Sequence, residues 1–221
     1  MSGRLELIIG CMFAGKTGEF IRRYRKYNSI GRKILVINHS SDTRYGKSVV
    51  SSHNRDKIDC ISLSDFEDIT SDDKYVNADI IMIDEAQFFK GLVEFVRYGM
   101  DVDNKHFIVC GLSGDCFRKP FGEILNLIPY CSDIKYLKAL CKKCALDGIE
   151  SEAIYSMRMT SDKCQTVVGS EDKYIPVCHK HYVINYFEEE KVDVEKKVVT
   201  KESKKDEPMS DVGSNWILWG C

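Results

Sequence analysis

The sequence predicts an α/β fold in which a doubly wound parallel sheet is followed by a small, separate β-module. Two observations support this prediction. First, short apolar runs alternate with segments whose apolar residues recur at helical spacing, a pattern typical of parallel strands with helices on both faces of the sheet. Second, this alternation stops after residue 140, where short alternating stretches, turn residues and closely spaced cysteines begin.

Runs of apolar residues are predicted to form the strands of the sheet. They are Leu5–Ile9, Lys33–Asn38, Asp79–Glu85 and Phe107–Leu112. Helices are predicted where apolar residues are three or four positions apart. They are Thr17–Tyr27, Phe88–Tyr98 and Phe121–Ile128, the last closed by Pro129. We therefore expect an α/β domain over residues 1–140, a module over 141–186 and a tail over 187–221.

Residues 10 to 17, GCMFAGKT, match the phosphate-loop (P-loop) pattern G-x-x-x-x-G-K-[ST]. The glycines let successive backbone N–H groups turn towards phosphate oxygens, Lys16 supplies a positive charge to the β- and γ-phosphates, and the Thr17 hydroxyl can bind Mg²⁺. A predicted strand precedes the loop and a predicted helix follows it, and a helix N-terminus favours an anion. The sequence therefore predicts a nucleoside triphosphate site. Its phosphate-binding residues are Gly10, Cys11, Met12, Phe13, Ala14, Gly15, Lys16 and Thr17.

Composition narrows the class of protein. The chain has 221 residues, of which 43% are hydrophobic and 30% charged, with a formal net charge of −2, as in a soluble globular protein without broad affinity for nucleic acid. No apolar run approaches the roughly 20 residues of a membrane-spanning helix, and no signal peptide is visible. The ten cysteines include one in the phosphate loop and one in a predicted strand. We therefore expect cytosolic thiols and a metal site rather than a disulfide framework.

Two carboxylates, Asp84 and Glu85, end the third predicted strand. Ligands of parallel sheets bind beyond the carboxyl ends of the strands. An aspartate there can hold Mg²⁺ as a Walker B residue does, and Glu85 can orient or deprotonate a nucleophile. If that nucleophile is water the chain is an ATPase, and if it is a hydroxyl the chain is a kinase. Capping of the following helix is the alternative role for the pair.

Two metal-binding pairs, Cys141-x2-Cys144 and Cys178-x2-His181, are separated by 33 residues. Three thiolates and an imidazole suit tetrahedral Zn²⁺ and leave no open position for catalysis. His179 could compete with His181 as the fourth ligand, but the two-residue gap of the first pair favours His181. A structural zinc would clamp the intervening segment, which lowers the entropic cost of ordering it on a substrate.

The C-terminal segment differs in composition from the rest of the chain. Fourteen of residues 188–207 are charged, eight acidic and six basic, and we expect this tail to be disordered. The terminal Trp216–Trp219 could anchor a partner, although chance surface apolarity is the simpler explanation.

In combination these motifs resemble one family, the cellular and poxvirus-type (type II) thymidine kinases. The resemblance covers residues 4–185, and the combination is far more specific than any one motif. The matching segments, in the family order, are the phosphate loop, Asp42–Tyr45, Asp84–Phe88, Arg118–Gly122, the two metal-binding pairs, Val167–Gly169 and Asp172–Tyr174. The resemblance implies ATP-dependent phosphorylation of the 5′-hydroxyl of thymidine, or of deoxyuridine, in nucleotide salvage for DNA synthesis.

The resemblance also implies roles at the phosphates. Glu85 would be the base that accepts the 5′-hydroxyl proton, and Mg²⁺ would be held by Thr17 and Asp84. The family's DTR segment would lie near the phosphates and the metal, with a surface salt bridge as the alternative. Its residues here are Asp42, Thr43 and Arg44.

For the nucleoside, the resemblance implies that backbone groups of the segment 165–169 bind the thymine ring and that Tyr174 contacts the deoxyribose hydroxyl. The residues expected around the nucleoside are Gln87, Phe88, Cys116, Phe117, Phe121, Gln165, Thr166, Val167, Val168, Gly169 and Tyr174. The resemblance further implies a homotetramer whose partners are ATP and thymidine. The cysteine usage, the net charge and the lack of a long apolar run lead us to expect a cytoplasmic protein that binds neither nucleic acid nor a membrane.

Two positions depart from the family pattern. Family loops commonly carry proline where this chain has Cys11, and we expect little effect because backbone amides make the phosphate contacts. The family usually places an aromatic residue against the base where ungapped alignment gives Cys116. We expect a one-residue shift, so that Phe117 supplies the ring, because losing a stacking partner costs about 1 kcal/mol or more.

Two other functions share these motifs. A nucleic-acid-stimulated ATPase with a zinc ribbon would also use a phosphate loop, an acidic pair and CxxC pairs, but such motors need a second lobe and further arginine-bearing motifs. A net charge of −2 also counts against it. A regulatory or inactive nucleotide-binding protein is the third hypothesis, because the Cys116 departure touches the pocket.

Overall fold

A computed structural model describes residues 3–42, 49–51, 57–160, 164–165 and 173–185 of the chain. Two compact units divide the sequence, Met1–Tyr182 and Val183–Cys221. Of the second unit the structure describes residues 183–185, which are helical. The predicted disordered tail and the terminal Trp216–Trp219 lie outside the described residues.

The elements of the first unit alternate between strand and helix through most of its length. The strands are β1 (Arg4–Gly10), β2 (Ile34–His39), β3 (Val49–Ser51), β4 (Lys57–Asp59), β5 (Ile61–Leu63), β6 (Ile80–Ile83), β7 (His106–Leu112), β8 (Asp133–Leu137), β9 (Ala139–Leu140), β10 (Glu152–Ala153), β11 (Tyr155–Arg158) and β12 (Tyr174–Val177). The α-helices are α1 (Lys16–Asn28), α2 (Asp73–Asn77), α3 (Leu92–Asp101) and α4 (Lys142–Leu146). Short 3₁₀ helices lie at Ile69–Ser71, Ala86–Phe88 and Ile124–Tyr130.

A six-stranded sheet in the order β5-β2-β6-β7-β1-β8 forms the centre, and every neighbouring pair is parallel. Side chains alternate between its faces along each strand. On β1, Leu7 and Ile9 join the cluster that includes residues of α3, whereas Ile8 joins Phe20 and Ile21 of α1 on the opposite face. Helices therefore cover both faces, and the predicted doubly wound parallel sheet is confirmed.

Three predicted boundaries differ from the structure. The strand predicted to end at Glu85 ends at Ile83, because Glu85 adopts φ 50°, outside the range of a strand. The helix predicted from Phe88 begins at Leu92, after a 3₁₀ turn. The helix predicted over Phe121–Ile128 is instead a 3₁₀ helix at Ile124–Tyr130 that contains Pro129.

The region after residue 138 contains two short antiparallel pairs, β9 with β10 and β11 with β12. Helix α4 lies between the first two of these strands in sequence. Cys11 of the phosphate loop is buried in one cluster with Ala153 and the cysteines of this region. The expected domain boundary at residue 140 stays a prediction. No helix within the described ranges is long and apolar enough to cross a bilayer.

Candidate active site

The phosphate-loop residues follow β1 at the carboxyl edge of the sheet and lead into α1. Gly10 is paired with Leu112 at the end of β7, and a Cβ on Gly10 would lie 2.2 Å from the carbonyl oxygen of Leu137, so only glycine fits. Lys16 begins α1 and its Nζ donates to the carbonyl oxygen of Cys11 at 2.8 Å. The ammonium group is thereby folded back over the loop, where an anion at the helix N-terminus would meet it.

The loop is attached to the region of the metal-binding pairs. The Cys11 thiol, only 1% exposed, donates to the Ala153 carbonyl at 3.3 Å, and burial raises its pKa so that it stays protonated. The backbone N–H of Met12 donates to Ser156 Oγ at 2.9 Å. These two contacts therefore attach the phosphate loop to Ala153 and Ser156. The sequence motifs gave no sign of these contacts, because their partners lie more than 140 residues away.

The acidic pair lies at the same edge. Asp84 follows β6, is 5% exposed, and accepts from the Glu85 backbone N–H at 2.9 Å. The Glu85 carboxylate accepts from Gln87 Nε2 at 2.6 Å, and Gln87 Oε1 accepts from the Leu112 backbone N–H at 3.1 Å. Gln87 thus ties the carboxylate to the end of β7, next to the strand that leads into the phosphate loop.

Close packing around Gln87 keeps this arrangement rigid. Gln87 is 3% exposed, and Gly122, with φ 59°, packs against its backbone. A Cβ on Gly122 would lie 2.1 Å from the Gln87 carbonyl oxygen, and one on Gly111 would lie 2.6 Å from Gln87 Oε1. At position 122 glycine is required for the two backbones to approach so closely, and at position 111 a Cβ would displace the Gln87 amide. The glycine of the pattern RKPFG therefore has a packing role at Gln87 that its motif did not reveal.

Three predicted nucleoside-site aromatic residues lie near this edge. The rings of Phe88 and Phe121 meet edge to face with centroids 5.4 Å apart. Phe117 is 41% exposed, whereas Cys116 is 8% exposed and its carbonyl oxygen accepts from the Tyr182 hydroxyl at 2.7 Å. The exposed ring at position 117 is consistent with the one-residue shift. Which of the two lines the base pocket stays a prediction.

Tyr174 begins β12 opposite Arg158, the last residue of β11. The Tyr174 hydroxyl accepts from Arg158 Nη2 at 2.7 Å. Gln165 donates through Nε2 to Asp115 Oδ2 at 2.7 Å. Arg158 and Asp115 were not predicted from the sequence, since an isolated arginine and aspartate follow no recognisable spacing.

The metal-binding pairs converge as predicted. The ligand atoms of Cys141, Cys144, Cys178 and His181 all lie within 4.8 Å of one another. His181 Nδ1 lies 3.4 to 3.5 Å from each of the three sulfur atoms. Burial raises the pKa of the Cys141 thiol, but hydrogen bonds from Cys144 and Cys178 backbone groups and from His181 outweigh this and lower it to about 6. His179 instead faces Tyr155, with Nδ1 3.4 Å from its hydroxyl. The donor set is that of a tetrahedral Cys₃His site.

The structure describes only some of the remaining predicted site residues. Asp42 accepts from Asn38 Nδ2 at 3.2 Å, close to the end of β2. The other predicted site residues, Thr43, Arg44, Thr166, Val167, Val168 and Gly169, lie outside the described residues.

The family model described as Thymidine kinase matches residues 3–182. Thymidine kinase a of Arabidopsis thaliana is 38% identical over 188 residues, which cover 84% of this chain and 77% of the relative. The thymidine kinase of Yaba monkey tumor virus is 38% identical over 181 residues, with 82% and 95% covered. The cytosolic thymidine kinase of Homo sapiens is 37% identical over 180 residues, with 81% and 73% covered. The family model spans most of the chain, and these relatives come from plants, viruses and mammals, so the chain belongs to the thymidine kinase family.

Proposed function

We propose that the chain transfers the γ-phosphoryl group of ATP to the 5′-hydroxyl of thymidine and yields thymidine monophosphate. The observation that carries this proposal is the position of Glu85. Its carboxylate is held by Gln87 at the carboxyl edge of the sheet, beside the strand that leads into the loop 10–17. Membership of the thymidine kinase family identifies the hydroxyl of a nucleoside, rather than water, as the acceptor.

The loop binds and orients the triphosphate. Backbone N–H groups of residues 10–17 surround the β- and γ-phosphates, and Lys16 neutralises charge that develops on the transferred group. Thr17 and Asp84 are the residues that would hold Mg²⁺, a cation that prefers such hydroxyl and carboxylate oxygens. When bound, Mg²⁺ supplies charge neutralisation at the phosphates. Asp42, Thr43 and Arg44 lie near this region by family resemblance.

Glu85 acts as the general base. A carboxylate within hydrogen-bonding distance of the 5′-hydroxyl accepts its proton as the phosphoryl group is transferred. The hydrogen bond from Gln87 orients the carboxylate towards the 5′-hydroxyl. Most of the rate enhancement comes from positioning and charge neutralisation, and the proton transfer adds about 10²- to 10⁴-fold.

The nucleoside lies between the acidic edge and the segment that precedes β12. Phe88 and Phe121 pack around the base together with Phe117. Backbone groups of residues 165–169 bind the thymine ring, as the family resemblance implies, and Tyr174 contacts the deoxyribose hydroxyl. Recognition through backbone groups leaves deoxyuridine as a second substrate.

Zinc is the metal that we assign to the Cys₃His cluster. Three thiolates and one imidazole fill four positions, so the ion has a structural role. It joins Cys141 and Cys144, at the start of α4, to Cys178 and His181, which follow β12, and so fixes the ends of the intervening segment. The domain division at residues 1–140, 141–186 and 187–221 and a cytoplasmic location, both inferred from the sequence pattern, belong to the proposal. A homotetramer, inferred from the family resemblance, completes it.

One assay tests the proposed reaction against its alternatives. The protein is incubated with γ-labelled ATP and Mg²⁺, with each of thymidine, deoxyuridine, deoxycytidine and deoxyadenosine, in the presence and absence of single-stranded DNA. Labelled thymidine monophosphate supports the proposal. Phosphate release that depends on DNA would identify an ATPase, and neither product would indicate a regulatory nucleotide-binding protein. Thymidine is expected to raise the melting temperature more than the purine nucleosides do.

A further inference from the structure

A closed turn carries the predicted base-stacking ring. The turn comprises residues 115–119, shortly after the end of β7, and is here called the 115–119 turn. The Asp115 backbone N–H donates to the Lys119 carbonyl oxygen at 2.9 Å, and the Arg118 N–H donates to the Asp115 carbonyl oxygen at 3.1 Å. Phe117 lies between these bonded residues and is 41% exposed. The turn therefore presents one exposed aromatic ring from a backbone that closes on itself.

The side chain of Asp115 fixes the backbone inside this turn. Asp115 is buried, and its Oδ1 accepts from the backbone N–H groups of Phe117 at 2.9 Å and Lys119 at 2.8 Å. A carboxylate acceptor makes such hydrogen bonds stronger than those between neutral groups. Arg118 has φ 62°, a left-handed conformation that costs free energy in any residue with a Cβ. Contacts such as those of Asp115 are needed to stabilise it.

Tyr182 contacts the same turn from the region of the metal-binding pairs. It directly follows His181 and is 6% exposed. Its hydroxyl donates to the Cys116 carbonyl oxygen at 2.7 Å. This carbonyl and the Phe117 N–H belong to one peptide group, which is planar and trans. Tyr182 binds one side of the plane and Asp115 binds the other, so its orientation is fixed.

The ring of Tyr182 contacts the turn as well. The central guanidinium carbon of Arg118 lies 4.6 Å from the centre of the Tyr182 ring and 5.8 Å from that of Tyr155. The centres of the two tyrosine rings are 5.0 Å apart. A cation over an aromatic face is attracted to it. The side chain of the residue with the left-handed backbone is therefore held by the same tyrosine whose hydroxyl binds Cys116.

We propose that Tyr182 is a positioning residue of the nucleoside pocket. With Asp115 it fixes the peptide plane between Cys116 and Phe117, and this plane sets the direction in which the Phe117 ring leaves the backbone. The ring is thus oriented towards the pyrimidine base before the nucleoside binds, which lowers the cost of ordering it. This inference rests on the proposed function, because it assumes that the base stacks on Phe117.

The test compares KM for thymidine with KM for ATP in the full-length protein. Tyr182→Phe removes the hydroxyl but keeps the ring, both for Arg118 and for the apolar cluster that also contains Cys11. Phe117→Leu removes the stacking ring, and a third variant combines the two changes. Melting temperature reports whether each variant is folded.

Tyr75→Phe is the matched control. Tyr75 is 1% exposed, and its hydroxyl donates to Asp103 at 2.7 Å, the length of the bond from Tyr182 to Cys116. It lies on α2 in the apolar cluster that includes residues of α3. The same atom and a hydrogen bond of the same length are therefore removed at a place without contact to the 115–119 turn.

We expect Tyr182→Phe to raise KM for thymidine about fivefold, as the loss of one buried hydrogen bond implies, with kcat and KM for ATP within about twofold of wild type. In the Phe117→Leu background the same change should alter KM for thymidine by less than about twofold, because the hydroxyl acts through that ring. Tyr75→Phe should lower the melting temperature and leave KM for thymidine unchanged.

Equal increases in KM for thymidine and for ATP would overturn the inference, since they would show that Tyr182 only supports the fold. So would an unchanged KM for thymidine, or an additive double variant. If Tyr182→Phe fails to fold, Arg118→Met at an exposed position decides. A rise in KM for thymidine of about twofold or more then supports the inference, and an unchanged KM contradicts it. Absence of thymidine phosphorylation by the wild-type protein would instead refute the proposed function, which is a distinct result.

Discussion

The hydrogen bond from Gln87 to Glu85 offers a sharp test of how the proposed base is kept in place. In Gln87→Glu, one oxygen still accepts from the Leu112 backbone N–H, but the atom 2.6 Å from Glu85 Oε2 becomes a second carboxylate oxygen. Two like charges about 4 Å apart repel by about 4 kcal/mol at an effective dielectric constant of about 20, the equivalent of about three pH units. Because side-chain rotation and solvent reduce this value, we expect an effect of at least about one unit.

The sign of the change follows from the charge of the pair. Two adjacent carboxylates share a proton at a pH where an isolated one has lost it, so the base in Gln87→Glu is blocked until the pH is raised. The acidic limb of the kcat profile, measured as thymidine monophosphate formation from pH 5 to 9, should therefore move up by one unit or more. Activity should recover at the alkaline end.

A volume-matched variant serves as the control. Gln87→Met removes both hydrogen bonds without adding a charge, so it should lower kcat at every pH and move the midpoint of the acidic limb up by clearly less than Gln87→Glu does. If Gln87→Glu and wild type have coincident limbs, Glu85 is not the group whose ionisation limits the reaction, and the role assigned to Gln87 is wrong.

Three further predictions concern stability. Cys144→Ser should lose bound zinc, measured by elemental analysis, and lower the melting temperature, because a structural zinc site contributes its binding energy to folding; an unchanged zinc content would contradict the assigned ligand set. Gly122→Ala should destabilise the protein by about 1 to 2 kcal/mol from the positive φ alone, and its Cβ should displace Gln87 and lower kcat. A variant as active and stable as wild type would show that glycine is not required at position 122. Burial, together with Arg4, Arg23 and Lys26, lowers the pKa of His106 to about 4. Below about pH 6.5 the unfolded chain takes up a proton at this residue, whereas the folded protein keeps it neutral down to about pH 4. The free energy of unfolding therefore falls between pH 6.5 and 4. In His106→Gln this fall should be smaller by about 1 to 3 kcal/mol. If denaturant titrations give the variant and wild type the same pH dependence of the free energy of unfolding, the lowered pKa of His106 is wrong.

Elements whose apolar residues follow a regular local spacing could be predicted from the sequence. Continuous apolar runs predicted four strands of the parallel sheet, and helical spacing predicted α1 with nearly its observed bounds. The 3₁₀ helix Ile124–Tyr130 was not predicted as such, because apolar spacing does not distinguish an α-helix from a tighter 3₁₀ helix around Pro129. Strand β8 was missed as well, since it lies at the edge of the sheet with mostly exposed residues and lacks an apolar pattern.

The same distinction applies to the candidate site. The loop 10–17 and the Cys/His pairs have fixed local spacings, and the structure brings the four metal-binding side chains together as expected. The contacts of Arg158, Asp115 and Ser156 join segments far apart in the chain. No local pattern encodes such contacts, and they become visible only when the sheet and the module are folded. The buried position of Cys11 is a case in which a departure from the family pattern has a structural partner.

The most direct test of Glu85 as the general base is the activity of Glu85→Gln with thymidine and ATP. Glutamine keeps the size of the side chain and an acceptor for Gln87, but it does not accept the 5′-hydroxyl proton. If Glu85 is the general base, kcat falls by about 10²- to 10⁴-fold while KM for ATP and for thymidine stays within threefold. Glu94→Gln, on the exposed side of α3, should behave as wild type. A Glu85→Gln protein that forms thymidine monophosphate at nearly the wild-type rate would contradict this role of Glu85.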